Sequence, residues 1–223
     1  MAGEIYKLKN VDHADINGVL IKIQRSFNIK LDNEGLKNAD TFGSLCDLII
    51  NKINLEHEES CTTQHAFYLL RNSIAASTGT NKCSITPNTR LSKLFPKENR
   101  LQMIQEIEHE LGFDTDLLQP KPWIIVLFST FFIGSLIACY FNWEIGIAGI
   151  LASVAGHKLT GKFGKEIHLK TVGDLASKIS RESYLNARRN STINKTEIEQ
   201  KVRELFANDP GLQPVLIRRE SQF

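Results

Sequence analysis

The sequence predicts an all-α protein in which an apolar helical hairpin interrupts a series of amphipathic helices. Apolar residues recur at helical spacing through most of the polar segments. Residues 123–141, WIIVLFSTFFIGSLIACYF, run nineteen positions without a charge. The stretch TFGSLCDLI at 41–49 also returns as TVGDLASKI at 171–179, on the far side of that run.

The helices follow in order. Residues 15–27 set Ile16, Val19, Leu20, Ile23 and Phe27 on one face. Thr41, with Ser44 three residues on, caps a second helix whose stripe is Leu45, Leu48, Ile49 and Ile53. Thr62 or Thr63 opens a third, with Phe67, Leu70 and Ile74 aligned. After the loop NKCSITPNTRLSKLF, a fourth carries Leu101, Ile104, Ile107, Glu108 and Leu111. Beyond the apolar run, Thr171 and Asp174 cap a helix that repeats Leu45 and Ile49 as Leu175 and Ile179. The last, 196–208, aligns Ile198, Val202, Leu205 and Phe206 and stops at Pro210 and Gly211.

A bilayer core about 30 Å thick takes about 20 helical residues, which 123–141 supply. Asn142-Trp143-Glu144 makes a turn, and the apolar stretch 145–156 that follows is short. Extended from Trp143 to Thr160 it crosses too, with Glu144 and Lys158 snorkelling at opposite faces. Ala148, Ala152 and Gly156 then form a small-residue face for the helix pair, 121–160. Lys121 precedes the first segment, Lys158, Lys162 and Lys165 follow the second, and the turn holds no Lys or Arg. By the positive-inside rule both flanks are cytoplasmic, at an inner or plasma membrane. Those three lysines either touch anionic lipid headgroups or act only as topology determinants. The alternative to a membrane hairpin is a buried helix pair in a soluble domain.

Composition excludes other classes. A formal charge of +2 over 223 residues is too mild for a nucleic-acid partner. Cys46, Cys61, Cys83 and Cys139 show no disulfide-like spacing, and no Cys/His spacing suits zinc, so no metal is expected. GHKLTGKF at 156–163 approaches a phosphate-binding loop, but Phe163 stands where a hydroxyl would meet magnesium. It is expected to be a basic juxtamembrane loop.

A second pair of like segments is ITPNTRL at 85–91 and IRRESQF at 217–223, each following an amphipathic helix. In this order the motifs resemble acyl carrier proteins, small four-helix bundles with a long loop between helices I and II. Residues 12–54 resemble helices II to IV, through DHADINGVLIKIQRSF and ADTFGSLCDLIINKI. Residues 62–119 resemble helices I and II, through SITPNTRLSKLF and QEIEHELGF. The helix IV of that copy is TVGDLASKI, within 161–182, past the hairpin. Residues 194–223 resemble helix I and its loop. Three arrangements of 194–223 with 12–54 stay open: pairing in one chain, pairing head to tail in a homo-oligomer, or no pairing.

In the family, a Ser at the start of helix II carries a phosphopantetheine arm. Aligning Phe27 and Leu111 with the residue that ends helix II puts His13 and Lys97 at that position. Neither side chain offers the hydroxyl that attacks coenzyme A. The resemblance therefore implies a non-catalytic protein without a cofactor, whose helix II docks a protein partner. Glu106, Glu108 and Glu110 keep the second copy acidic there, while Lys22 and Arg25 make the first basic. Two other readings are an accessory that holds acyl chains among Phe27, Phe42, Phe67 and Phe95, and a membrane-bound antagonist of another protein.

Overall fold

Local signals set most helix ends. In the computed structural model, which describes residues 13–162, 164, 166–188, 192–208 and 217–222, α1 (His13–Ser26) runs out at Asn28, whose φ of 45° is left-handed. The segment 28–40 contains a short helix, α2 (Asn33–Lys37). For α3 (Phe42–Lys52), the Thr41 hydroxyl accepts the Ser44 N–H at 3.1 Å and the Ser44 hydroxyl accepts the Thr41 N–H at 3.0 Å. This reciprocal box satisfies two donors that a helix start otherwise leaves open. Next come β1 (Glu56–His57), α4 (Thr62–Thr78), a 3-10 turn, α5 (Leu91–Leu94) and α6 (Arg100–Leu111). Gly112, at φ 77°, ends α6 in the left-handed conformation that glycine adopts without a Cβ clash. The remaining elements are β2 (Leu118–Gln119), α7 (Pro122–Phe141), α8 (Trp143–Lys162), β3 (Glu166–Ile167), α9 (Val172–Glu182), α10 (Tyr184–Ala187), β4 (Thr192–Ile193) and α11 (Lys195–Ala207). The protein is all-α, with only these two-residue strands among the described residues.

The chain divides into two compact units. The first takes the described residues of Met1–Leu70 and Ala176–Phe223. Its core joins Val19 and Ile23 of α1 and Phe27 just after it to Phe42, Leu45 and Ile49 of α3, and to Ile198, Val202, Leu205 and Phe206 of α11. Phe42 meets Phe206 edge-on with centroids 5.9 Å apart, and Phe27 lies 5.0 Å from Tyr184. The C-terminal segment closes onto α3 in the same chain. The Phe42 N–H donates to the Ser221 carbonyl and the Gly43 N–H to that of Arg219, both at 2.8 Å. Arg219 adds a bidentate pair to Asp47 at 2.8 Å and a bond to Glu199 at 2.7 Å. β1 and β4 pair in parallel.

The second unit, Arg71–Leu175, repeats that closure. The Val172 N–H donates to the Thr89 carbonyl at 3.0 Å and the Gly173 N–H to that of Pro87 at 2.8 Å. Here Thr171 and Asp174 form the cap, with the Asp174 N–H on the Thr171 hydroxyl at 3.1 Å and the Thr171 N–H on the carboxylate at 2.9 Å. Ile74, Ile85, Leu91, Phe95, Ile104, Ile107, Leu117, Val172 and Leu175 are buried. β2 and β3 pair antiparallel immediately outside α7 and α8.

Helices α7 and α8 lie antiparallel, joined at Asn142, whose side-chain oxygen accepts the Glu144 N–H at 3.1 Å. Gly146 rests against Cys139, Gly149 against Ser135 and Gly156 against Phe128. With buried Ser153, the contact face of α8 is Gly146, Gly149, Ser153 and Gly156. This corrects the small-residue face read from the sequence, because Ala148 and Ala152 are exposed. The true spacing alternates three and four residues, the seam that keeps two helices in contact along their length. Helix α8 reaches Lys162, in line with the extension to Thr160 and against a loop at GHKLTGKF. No proline interrupts residues 156–162, and His, Lys, Leu and Thr all tolerate a helix.

Among the described residues, α7 alone is long and apolar enough to cross a bilayer; the apolar part of α8, Trp143–Gly156, is shorter. Only 6% of the apolar window of α7 is buried, so its side chains cover no core. The hydroxyls of Thr130, Ser135 and Ser153 bond back to the carbonyls of Val126, Phe131 and Gly149 at 2.6–2.8 Å, so these three polar groups need no water.

Candidate functional site

The acidic helix α6 turns Ile104 and Ile107 inward and leaves Glu106 and Glu110 exposed. At about 100° per residue, Glu106 and Glu110 stand about 40° apart, while Glu108 points about 160° away from both. The three carboxylates therefore do not share a face. Glu108 is engaged internally: it accepts from the Thr115 N–H at 2.8 Å and from the Thr115 hydroxyl at 2.7 Å, fixing the turn after the helix. Glu106 accepts from Gln102 one turn earlier at 3.0 Å. What remains as an exposed acidic edge is Glu106 with Glu110.

Lys97 is exposed in the turn that precedes α6. His13 is the first residue of α1, and its side chain lies outside the described residues. Of the headgroup lysines, Lys158 is exposed on the polar end of α8. Lys162 ends that helix but its side chain, like the whole of Lys165, lies outside the described residues.

Two sets of side chains with catalytic residue types, at Lys201 and at Cys46, are committed to structure. Lys201 is 4% exposed and donates to Ser180 at 3.0 Å and Thr63 at 3.3 Å, with the Glu204 carboxylate at 3.2 Å. A serine beside a lysine suggests a nucleophile, but Ser180 is fully buried and donates to the Ser177 carbonyl, so no substrate carbon reaches it. Burial in the first core, reinforced by Glu199, pushes the Cys46 thiol up to about 12. It is a neutral, inert packing group. Among the described residues no three His, Cys, Asp or Glu side chains converge as a metal site would require.

One polar node had no sequence signal. Arg188, 6% exposed, donates through Nε to the Thr192 carbonyl at 2.9 Å and through Nη1 to the Ser60 carbonyl and the Thr62 hydroxyl at 3.0 and 2.8 Å. Its Nη2 reaches the Glu58 carbonyl and the Ser60 hydroxyl at 3.1 and 2.8 Å. Glu197 lies 3.6 Å from the guanidinium and accepts the Thr62 N–H, capping α4 from a distant part of the chain. Burial of Tyr184 raises its phenol above the ordinary value, despite its bond to the Asn194 carbonyl. With its donors distributed in this way, Arg188 is a clasp around β1, β4 and the start of α4, not a ligand site.

No family model, curated protein or solved structure matches the chain.

Proposed function

We propose that this chain is a non-catalytic adaptor, built on acyl-carrier-like bundles and anchored at the cytoplasmic face of a membrane by the α7/α8 pair. The observation that carries the proposal is α6. It presents the exposed acidic edge Glu106–Glu110, and under the carrier resemblance Lys97 stands where a carrier would need a hydroxyl. A helix with that edge and no attachment chemistry is suited to recognising a basic surface on a protein partner. The exposed apolar length of α7 supports the anchor: about 30 Å of helix fits a bilayer core. Phe27, Phe42 and Phe95 are buried to 0–1% exposure, and the first two pack on Tyr184 and Phe206, which favours the adaptor over an acyl-chain pocket among these rings.

The test is native mass spectrometry of the protein extracted from its own membrane in mild detergent, followed by its denatured mass. An unmodified chain with one stoichiometric protein partner is expected. Glu106→Lys with Glu110→Lys should release that partner while the circular dichroism stays unchanged. Glu108→Lys is no substitute for this pair, since it also removes the Thr115 bonds. A covalent adduct that survives denaturation, or a partner retained by the doubly reversed variant, overturns the proposal.

A further inference from the structure

At the base of the α7/α8 pair, within the second unit, lies a cavity of about 520 Å³ lined by Arg90, Ser92, Lys97, Arg100 and the segment Glu166–Lys170. The backbone assembles it. The Leu91 N–H donates to the Lys170 carbonyl at 3.0 Å and Arg90 bridges Thr171, which sets two cationic segments side by side. Arg100, 5% exposed, is oriented from beneath by its Nε bond to the Phe95 carbonyl at 3.1 Å. Four cations, Arg90, Lys97, Arg100 and Lys170, thus face one space together with His168, against the single carboxylate of Glu166. None of Arg90, Lys97 and Lys170 is ion-paired among the described residues. The like charges of Arg90, Lys97 and Lys170 repel one another, and an anion between them reverses the sign of that interaction.

We propose that this cavity binds a phosphate group, and that the phosphate is the headgroup of an anionic membrane lipid. Guanidinium groups match phosphate oxygens in pairs, and the lysines add point charge. The volume suits a phosphate with a glycerol or similar small headgroup, and is too small for a whole lipid. Location selects the lipid over a free phosphate. β3, which supplies Glu166 and Ile167 to the wall, pairs with β2, and Gln119 of β2 stands three residues before Pro122, the first residue of α7. Three extended residues reach about 10 Å at most. A bilayer crossed by α7 therefore holds its headgroups at the level of the cavity. This inference rests on the membrane reading of α7 and α8. It is distinct from Lys158 of α8, which does not line the cavity.

The test uses the full chain in a non-ionic detergent, titrated with phosphatidic acid, phosphatidylglycerol or phosphatidylcholine and read by native mass spectrometry. The wild-type protein should hold one anionic phospholipid at least tenfold more tightly than phosphatidylcholine. Arg90→Gln, Lys97→Gln and Lys170→Gln together should remove that preference, because all three side chains are exposed and none belongs to the core. Lys30→Gln, Lys37→Gln and Lys82→Gln, an equal change of charge elsewhere, should leave it intact. Equal affinity for anionic and neutral lipid, or no effect of the cavity variant, overturns the proposal. Glycerol 3-phosphate or inorganic phosphate binding as tightly as the lipid overturns the lipid and makes free phosphate the ligand. Carbonate extraction of native membranes tests the anchor separately: release of the chain would refute the membrane reading without bearing on phosphate affinity in detergent.

Discussion

The backbone N–H of Gly43 donates to the carbonyl of Arg219 at 2.8 Å, and that of Gly173 donates to the carbonyl of Pro87 at the same distance. In each case the preceding residue bonds two positions further along the loop, Phe42 to Ser221 and Val172 to Thr89. Even the loops close alike, with the Arg218 N–H on the Ser221 hydroxyl at 2.9 Å and the Thr86 N–H on the Thr89 hydroxyl at 2.8 Å. Both units thus start the helix after a Thr cap by clamping it to a loop that follows an amphipathic helix. In α3 and α9 the clamp occupies N–H groups that the helix itself leaves unpaired.

Glycine is required at both clamps for space. A Cβ on Gly43 would sit 2.9 Å from the Arg219 carbonyl oxygen, and one on Gly173 would sit 3.0 Å from that of Pro87. Backbone cannot yield as a flexible side chain does, so Gly43→Val or Gly173→Val should each cost about 1–3 kcal/mol. Urea unfolding followed by circular dichroism checks this. Gly18→Ala is the control, since a Cβ there meets nothing within 4 Å, and helix propensity gives it a gain of up to about 1 kcal/mol.

How far these features could be read from sequence depends on how local they are. The Thr41/Ser44 and Thr171/Asp174 caps were legible because cap and partner lie in one turn. The segments that form the two clamps were legible as repeated motifs, because each keeps its place after a helix, but the bonds between them join parts of the chain too distant for any local signal. Glu197 as the cap of Thr62 was not, since its partner is 135 residues away and any carboxylate would look the same in sequence. The same holds for Arg188, which meets Glu58, Ser60 and Thr62 only after folding. On α8 the small residues are so dense that two registers fit, and only the packed pair selects Gly146, Gly149, Ser153 and Gly156. On α6 the run of alternating Glu suggested one acidic face, but residues two apart on a helix diverge.

Arg188 should be among the most sensitive positions in the first unit. Arg188→Met strands the Glu197 carboxylate and leaves the carbonyls of Glu58, Ser60 and Thr192 without this donor, and breaking one half of a buried pair costs about 3–5 kcal/mol. Lysine should not rescue it, because a single ammonium cannot reach the set of acceptors that the planar guanidinium spans. Equilibrium unfolding of the two variants decides the matter: a Lys variant as stable as wild type would remove the clasp from this account.

Alkaline pH should weaken the first unit through Cys46. Its thiol titrates at about 12 in the folded chain against 9.0 unperturbed, so between these values the native state keeps a proton that the unfolded state has lost. The unfolded chain then binds fewer protons, and stability falls as pH rises, by up to about 1.4 kcal/mol per pH unit. Below about 9 this contribution is constant. Tyr184, whose phenol burial also raises, acts in the same direction. Unfolding free energies across pH 8–11 should fall more steeply for wild type than for Cys46→Ala. In the same pH range a thiol reagent should modify exposed Cys61 and Cys83 quickly, and Cys46 only after unfolding.

The register of the α7/α8 pair makes a sharper demand than its apolar character. Gly149 rests on Ser135 with no room for a further atom, whereas Ala152, one turn away, is exposed. Gly149→Leu should therefore separate the helices, while Ala152→Leu places the same side chain on an exposed face. Close backbone approach supplies most of the attraction between apolar helices in lipid or detergent, where burial of apolar surface contributes little. Melting of the detergent-solubilised chain, followed by the fluorescence of Trp123 near the start of α7 and Trp143 at the start of α8, should drop by several degrees for Gly149→Leu and stay within a degree or so for Ala152→Leu. If Ala152→Leu were the damaging change, the seam would run through Ala148 and Ala152, and the packing described for this pair would be in error.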